Sequence, residues 1–318
     1  MLQLPGYARK LDNSDSMKRW FARMTDDEDG SELPESGALR TADMRQEKND
    51  VADSTTSNNV RAATARRILA IANQKGGVGK TTTAVNLGAG LAELGSRVLV
   101  IDLDPQGNAT SGLGIDGRTF EVSIYDVMVG DAKLEDCIEP TNLKNLFVVP
   151  STLDLAGAEM ELVTMMSREM RLKKALEPVW EDYDYVLIDC PPSLGVLNVN
   201  ALAAAQAVIV PIQCEYFALE GLSQLLKSVD QVRSNLNPEL DIGRVVLTMY
   251  DARTNLSEDV AREVRNRFGE KVCRTVIPRT VRLSEAPSFG QPIMVFDPSS
   301  RGSIAYRELA KEMSSAEA

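Results

Sequence analysis

The sequence predicts an α/β fold: a doubly wound, mostly parallel sheet flanked by helices on both faces. Three observations predict it. From residue 67 onward, apolar β-leaning runs alternate with helical patterns, the order that builds strand–helix–strand units. The runs are continuously apolar, as strands covered on both faces are. A glycine-rich stretch follows the first run and opens the first helical pattern. Open sheets of this kind bind ligands there, beyond the carboxyl ends of the strands.

Taken in order, the first strand is Ile68-Leu69-Ala70-Ile71, and it leads into the glycine-rich stretch. The helical pattern Ala84-Val85-Asn86-Leu87-Gly88-Ala89-Gly90-Leu91-Ala92 comes next, and Gly95 stops it. Residues 97–102 form a buried strand by their apolar run, and residues 146–149, 185–189, 207–210 and 244–248 are read as further strands. Helices are expected over residues 219–236, 257–268 and 300–313. Residues 1–66 stand apart. They are rich in Asp, Glu, Ser, Thr and Asn and lack aliphatic periodicity, so they are expected to form a disordered polar tail ahead of a domain spanning residues 67–318. One island in that tail, Met17-Lys18-Arg19-Trp20-Phe21-Ala22-Arg23-Met24, reads either as a short amphipathic docking peptide or as stray apolar residues.

Composition narrows the function. No apolar run reaches the roughly 18 residues a membrane span needs, and the N-terminus has no continuous apolar segment of the signal-peptide kind. Cys137, Cys190, Cys214 and Cys273 are scattered without a C-x-x-C, which argues against cluster ligation and for reduced thiols in the cytoplasm. The chain has no histidine, so any proton chemistry falls to Asp or Glu. The net charge of −11 argues against a globally basic nucleic-acid binder but leaves room for a local basic patch.

The glycine-rich stretch is Gln74-Lys75-Gly76-Gly77-Val78-Gly79-Lys80-Thr81-Thr82-Thr83. Between a strand and a helix, glycines let backbone N–H groups turn inward, and the helix start adds partial positive charge: a cradle for phosphates. Lys80 would reach the β and γ phosphates, and the Thr81 hydroxyl would ligate Mg²⁺. Gln74 stands where the usual pattern has its first glycine, and Lys75 is an additional lysine at the loop's start. An ordinary glycine-rich turn is the bland alternative, against which the strand, the helix and both lysines agree. After the second strand comes Asp102-Leu103-Asp104-Pro105-Gln106-Gly107. With no histidine, Asp104 is the natural group to orient a hydrolytic water, the alternative being an Asp-Pro turn. The strand at 185–189 ends in Asp189, a Walker B arrangement that would hold Mg²⁺, and Cys190-Pro191-Pro192-Ser193-Leu194-Gly195 then reads as a switch loop. The candidate metal set is thus Thr81, Asp104 and Asp189.

Together these motifs resemble the ParA/MinD family of P-loop ATPases with a deviant Walker A motif, and within it the ParA/Soj-type partition ATPases. The resemblance spans about residues 67–315 and extends to Gln213-Cys214-Glu215-Tyr216-Phe217-Ala218-Leu219-Glu220-Gly221, Asp251-Ala252-Arg253-Thr254-Asn255-Leu256 and Val281-Arg282-Leu283-Ser284-Glu285-Ala286-Pro287. It implies a cycle. ATP binding with Mg²⁺ drives a sandwich homodimer in which Lys75 of each subunit reaches the nucleotide of the other. The dimer binds double-stranded DNA without sequence preference, and a ParB-like centromere-binding protein stimulates hydrolysis and release. The phosphates would be held by Lys75, Gly76, Gly77, Val78, Gly79, Lys80, Thr81 and Thr82, with Gly76 at the dimer contact. The base would lie against Met249, Pro278, Arg279 and Thr280. Arg253 and Arg282 match the family's DNA-contacting segments, although from the residues alone each reads sooner as a surface salt bridge, for example Arg282 with Glu285. The implied place of action is the nucleoid. A MinD-like membrane ATPase would want a basic amphipathic C-terminal helix, and the end of this chain, residues 309–318, is mixed in charge and small. An iron–sulfur carrier would need paired cysteines. A P-loop metabolic ligase is the alternative from a different class.

Overall fold

The computed structural model describes residues 66–193, 195–215 and 222–315. The expected tail up to residue 65, its island at 17–24, residues 216–221 of the later motif, and the last three residues lie outside the described residues. In chain order the elements are β1 (Arg67–Ile71), α1 (Lys80–Glu93), β2 (Val98–Asp102), α2 (Asn108–Gly112), α3 (Ile124–Val129), β3 (Glu139–Pro140), β4 (Leu146–Val149), α4 (Leu155–Leu162), α5 (Arg171–Leu176), β5 (Tyr185–Asp189), α6 (Val196–Ala204), β6 (Ala207–Gln213), α7 (Leu222–Asn235), β7 (Asp241–Tyr250), α8 (Asn255–Phe268), β8 (Val272–Pro278), α9 (Val281–Glu285), α10 (Ile293–Phe296) and α11 (Arg301–Ser315).

The strands form one eight-stranded sheet in the order β3-β4-β2-β5-β1-β6-β7-β8, parallel throughout except where β3 meets β4. β2 and β5 are buried at every position, which is why their sequences are unbroken apolar runs. β1 lies between β5 and β6, and the chain leaves it toward one side of the sheet and returns on the other. That reversal opens a crevice at the carboxyl ends of the strands, where the glycine loop sits.

α1 is apolar nearly all round because it is covered all round. Leu87 and Leu91 are fully buried, and the helix lies between the sheet and α11. Gly90 is where α11 comes nearest: a Cβ there would lie 2.8 Å from the Cβ of Ala310, 3.1 Å from Cε of Met294 and 3.3 Å from the Tyr306 carbonyl oxygen. Replacing Gly90 with Ala adds about 1 kcal/mol of helix propensity. It also forces α11 outward, an overpacking that costs about 1–3 kcal/mol. The second effect wins because the Ala310 Cβ is rigidly attached to backbone. Gly90→Ala is therefore expected to lower the melting temperature by several degrees, as measured by circular dichroism; an unchanged or higher value would mean that the α1–α11 contact is looser than this.

β8 departs from the apolar-run expectation. Its residues Arg274 and Thr275 are polar because it is an edge strand that pairs only with β7. The Glu312 carboxylate on α11 accepts hydrogen bonds from the N–H groups of Arg274 (2.7 Å) and Thr275 (2.9 Å), closing part of that edge. The strands and helices expected from the sequence are present over the described residues, with ends shifted by a few residues, and β8 is an addition to them.

Candidate nucleotide site

β1 delivers the chain into a loop whose shape depends on two left-handed glycines, Gly77 (φ 73°) and Gly79 (φ 91°). Only glycine takes such angles without strain. Gly79 caps α1 and offers no side chain to it, so the first N–H groups of this 14-residue helix point into the crevice without an intrahelical partner. Uncapped N–H groups at a helix start form an anion site. The rest of the chain holds the loop in place. Asn73 Nδ2 donates to the Pro211 carbonyl on β6 (2.8 Å), and its Oδ1 accepts from the Lys75 N–H (3.0 Å). The Thr248 hydroxyl on β7 donates to the Val78 carbonyl (2.8 Å).

Lys80 is 6% exposed, and its ammonium reaches back to the Lys75 carbonyl at 3.4 Å. Burial lowers its pKa, while the nearby carboxylates of Asp189 and Asp104 work against that shift. Lys75 is half-buried, and its backbone is engaged on both sides. Among the described residues no carboxylate pairs with its ammonium. A Cβ on Gly76 or Gly77 would meet nothing within 4 Å, so within one protomer only the backbone angle of Gly77 demands glycine.

Asp189 ends β5 fully buried, in register with Ile71 of β1 and Asp102 of β2. Burial pushes its carboxyl well above the usual range and the Asp102 charge adds to this, with Thr81 and Lys80 pulling the other way. Neither of its oxygens has a hydrogen-bond partner. Two orphaned buried oxygens beside the Thr81 hydroxyl suit a hard divalent cation, one that would take its remaining ligands from phosphate and water. No group of three or more His, Cys, Asp or Glu side chains among the described residues would cage a metal by itself.

Asp102 and Asp104 divide the labour on the next loop. Asp102 Oδ2 accepts from the Thr110 N–H (2.8 Å) and hydroxyl (2.7 Å), and Oδ1 from the Asp104 N–H (3.2 Å). Burial still raises its pKa to about 6. Asp102 is the positioning group that sequence reasoning passed over: its carboxylate ties the ends of the 104–110 loop together. The loop's hold continues outward, since the Thr110 hydroxyl oxygen accepts from the Ser151 N–H (3.0 Å). Asp104 is 8% exposed; its Oδ1 accepts from the Gln106 N–H (3.0 Å). The Asp-Pro turn and a carboxylate near Lys80 are therefore both present at this residue.

A cavity of about 400 Å³ adjoins the loop and is lined by Gly79, Thr81, Thr82, Met249, Pro278, Arg279 and Thr280 among others. Of the residues expected at the phosphates, Gly79, Thr81 and Thr82 line the cavity beside the four expected at the base, while Lys75, Gly76, Gly77, Val78 and Lys80 are not among its lining residues. Met249 has a left-handed backbone (φ 50°), uncommon for a residue with a long side chain. Asn86, another lining residue missed from sequence, donates to the Thr82 carbonyl (2.7 Å) and accepts from the Ile293 N–H (2.7 Å), pinning α10 to α1. An isolated Asn inside an otherwise apolar helix was the available signal.

Arg253 and Arg282 do not line this cavity. Arg253 follows β7 and pairs with Asp251 at 2.7 Å, which holds that carboxyl far below its usual range. Arg282 pairs with Glu285 (3.0 Å), as the residues alone suggested, and with Asp297 (3.3 Å), and it lies 5.7 Å from the ring centre of Phe296. Both guanidiniums are solvent-exposed, where ion pairs add little, so either is cheaply released to another anion. The four cysteines are buried and free.

A family model described as an AAA domain matches residues 66–242. The sporulation initiation inhibitor protein Soj of Bacillus subtilis (strain 168) is 60% identical over 247 residues, covering 78% of this chain and 98% of that protein. The chromosome partitioning protein ParA of Caulobacter vibrioides (strain NA1000 / CB15N) is 56% identical over 253 residues, covering 79% and 95%. Among solved structures, cobyrinic acid a,c-diamide synthase from Mycobacterium smegmatis with bound ADP and magnesium is similar at a TM-score of 0.68 with 43% identity, covering 77% of this chain and 93% of that one.

Proposed function

The chain belongs to the Soj/ParA family of chromosome partitioning ATPases, and on that premise we propose that it is the ATP-driven switch of a DNA partition system. One observation carries the reading: an uncapped helix start, whose Thr81 and Thr82 line a nucleotide-sized cavity, lies with the buried Lys80 beside a buried Asp189 whose oxygens lack a hydrogen-bond partner. Lys80 and the N–H groups of residues 76–82 bind the phosphates of ATP. Thr81 and Asp189, with Asp104 close by, would hold Mg²⁺, which would neutralise phosphate charge when bound. Met249, Pro278, Arg279 and Thr280 form the base side of the cavity. Asp104 orients the water that attacks the γ-phosphorus as ADP departs.

Lys75 and Gly76 are read as the contact with a second copy. Gly76 faces open space, and no carboxylate among the described residues pairs with the Lys75 ammonium, which suits a lysine that meets the partner's nucleotide in a sandwich homodimer. The dimer then holds double-stranded DNA in the cytoplasm, on the nucleoid, until a ParB-like centromere-binding protein stimulates hydrolysis. In an acidic chain the DNA surface has to be local, and Arg253 and Arg282 supply it twice over in a dimer.

The deciding experiment measures ATP turnover with DNA and the ParB-like partner added separately and together; strong stimulation only when both are present is expected. Turnover that ignores DNA and requires a small carboxylate acceptor would replace this reading with an amide-forming ligase, the activity that the description of the Mycobacterium smegmatis structure favours. Arg253→Ala and Arg282→Ala are each expected to lower ATP-dependent DNA retention without changing ATP binding. The slope of log affinity against log salt should flatten by about one for each DNA phosphate that is no longer neutralised. Retention equal to the parent across a salt series would move the DNA surface elsewhere.

A further inference from the structure

We propose that the outer face of α4 is the docking surface for a basic amphipathic segment of the protein that stimulates hydrolysis; the proposal rests on the partition-ATPase reading above. A surface helix is ordinarily apolar on one face, and α4 is apolar on two. Leu155, Ala158 and Leu162 are buried toward the core. On the other side Leu153 (73% exposed), Ala156, Met160 (78%) and Val163 (62%) follow one another at helical spacing. Asp154 and Val163, just outside the helix, keep helical angles, so the stripe is continuous. Met166 (92% exposed) extends it past the helix end. Single exposed apolar side chains are ordinary, but a contiguous stripe of them marks a contact surface.

Charge selects the occupant. Residues 151–167 contain Asp154, Glu159 and Glu161 and no lysine or arginine. Among the described residues none of these three carboxylates is in an ion pair. Glu161 accepts only from the Tyr125 hydroxyl (3.0 Å), and Asp154 from the Thr152 hydroxyl (3.3 Å). An apolar stripe with acidic flanks is complementary to a helix with an apolar face and basic flanks. Its two methionines can adapt to apolar side chains of different shape. The same acids disfavour other occupants. They repel DNA phosphates and anionic lipid headgroups, and a second copy meeting the stripe across a two-fold axis would bring like charges face to face.

The stripe is also placed to act on hydrolysis. α4 leaves directly from the segment that backs the Asp104 loop. The Ser151 N–H in that segment donates to the Thr110 hydroxyl oxygen (3.0 Å). A Cβ on Gly107, within the loop, would lie 3.2 Å from the Ser151 carbonyl oxygen. A segment docked on α4 therefore bears on the backing of the loop that orients the water, and it touches no reacting atom.

The test uses the full chain and a fluorescent peptide of leucine and lysine, about four helical turns or roughly 14 residues long, with its leucines on one face. Two control peptides carry the same residues in scrambled order, or glutamate in place of every lysine. By anisotropy the parent is expected to bind the ordered peptide at least about tenfold more tightly than either control. Leu153→Ser combined with Met160→Ser removes the stripe at exposed positions, so the fold should be kept while peptide binding weakens about tenfold. Asp154→Lys combined with Glu161→Lys should weaken it similarly and improve binding of the glutamate peptide. Turnover without the partner should stay within about twofold of the parent in both variants, while turnover stimulated by the ParB-like partner falls about tenfold.

Control peptides that bind as tightly as the ordered one would overturn the proposal. So would a stripe variant with parent-like peptide binding or parent-like stimulation. Loss of ATP-dependent dimerisation in the stripe variant would give the face to a second copy instead. Tighter peptide binding on combining Trp20→Ala with Phe21→Ala would give it to the chain's own basic island, and either result overturns the partner assignment. If the parent failed to hydrolyse ATP, the ATPase reading would fall, and the peptide measurements would still decide what the α4 face binds.

Discussion

Lys80→Ala is expected to lose ATP binding by about 10- to 100-fold, the loss of one charge-assisted hydrogen bond at about 1.5–3 kcal/mol. Turnover should fall further, by on the order of 10²–10³, because the ammonium also faces charge that develops on the transferred phosphoryl group. The environment makes the effect large. Lys80 is almost fully buried, with the carboxylates of Asp189 and Asp104 nearby. Lys75→Ala is the informative contrast. That residue is half-buried at the loop's edge, so ADP binding by the single protomer should survive while ATP-dependent dimerisation and turnover are lost. Nucleotide titration and sedimentation with a slowly hydrolysed ATP analogue separate the two. Unchanged affinity in Lys80→Ala would refute the phosphate-loop assignment, and an intact dimer in Lys75→Ala would refute the crossing lysine.

Asp104→Ala should break the cycle at a different point. Its carboxylate caps the Gln106 N–H within a loop already held by Asp102, Thr110 and Ser151, so the loop keeps most of its supports without it. ATP binding should stay within a few-fold of the parent. Loss of water orientation costs about 10²–10⁴ in rate. With hydrolysis blocked after binding, the protein should accumulate as a DNA-bound dimer. The measurements are single-turnover hydrolysis and DNA retention in ATP with the partner present. Near-normal stimulated hydrolysis would move the water-orienting role to another group.

Much of this site was legible in the sequence. The demand for glycine at 77 and 79 is local, set by left-handed angles in a tight turn before a helix, and local demands are written in neighbouring residues. The same holds for the unbroken apolar runs of β2 and β5, and for Arg282 with Glu285, three residues apart on one helix face. The strand β8 was missed for a physical reason: at an edge, polar residues such as Arg274 and Thr275 are tolerated, so the apolar signal fades.

The tertiary structure alone decided what the loop is fastened to and what faces it. Asn73 bonds across 138 positions to Pro211, and Thr248 across 170 to Val78. Asp189 meets Asp102 only because the sheet places β5 beside β2 in a particular register. The Asp297 partner of Arg282 has the same origin. Hydrophobic periodicity along a chain says that a segment is a buried strand or helix, but not which segment lies beside it. Strand order and register come from how all the elements pack at once, so the glycine loop could be read from its own residues while the contacts that hold and surround it could not.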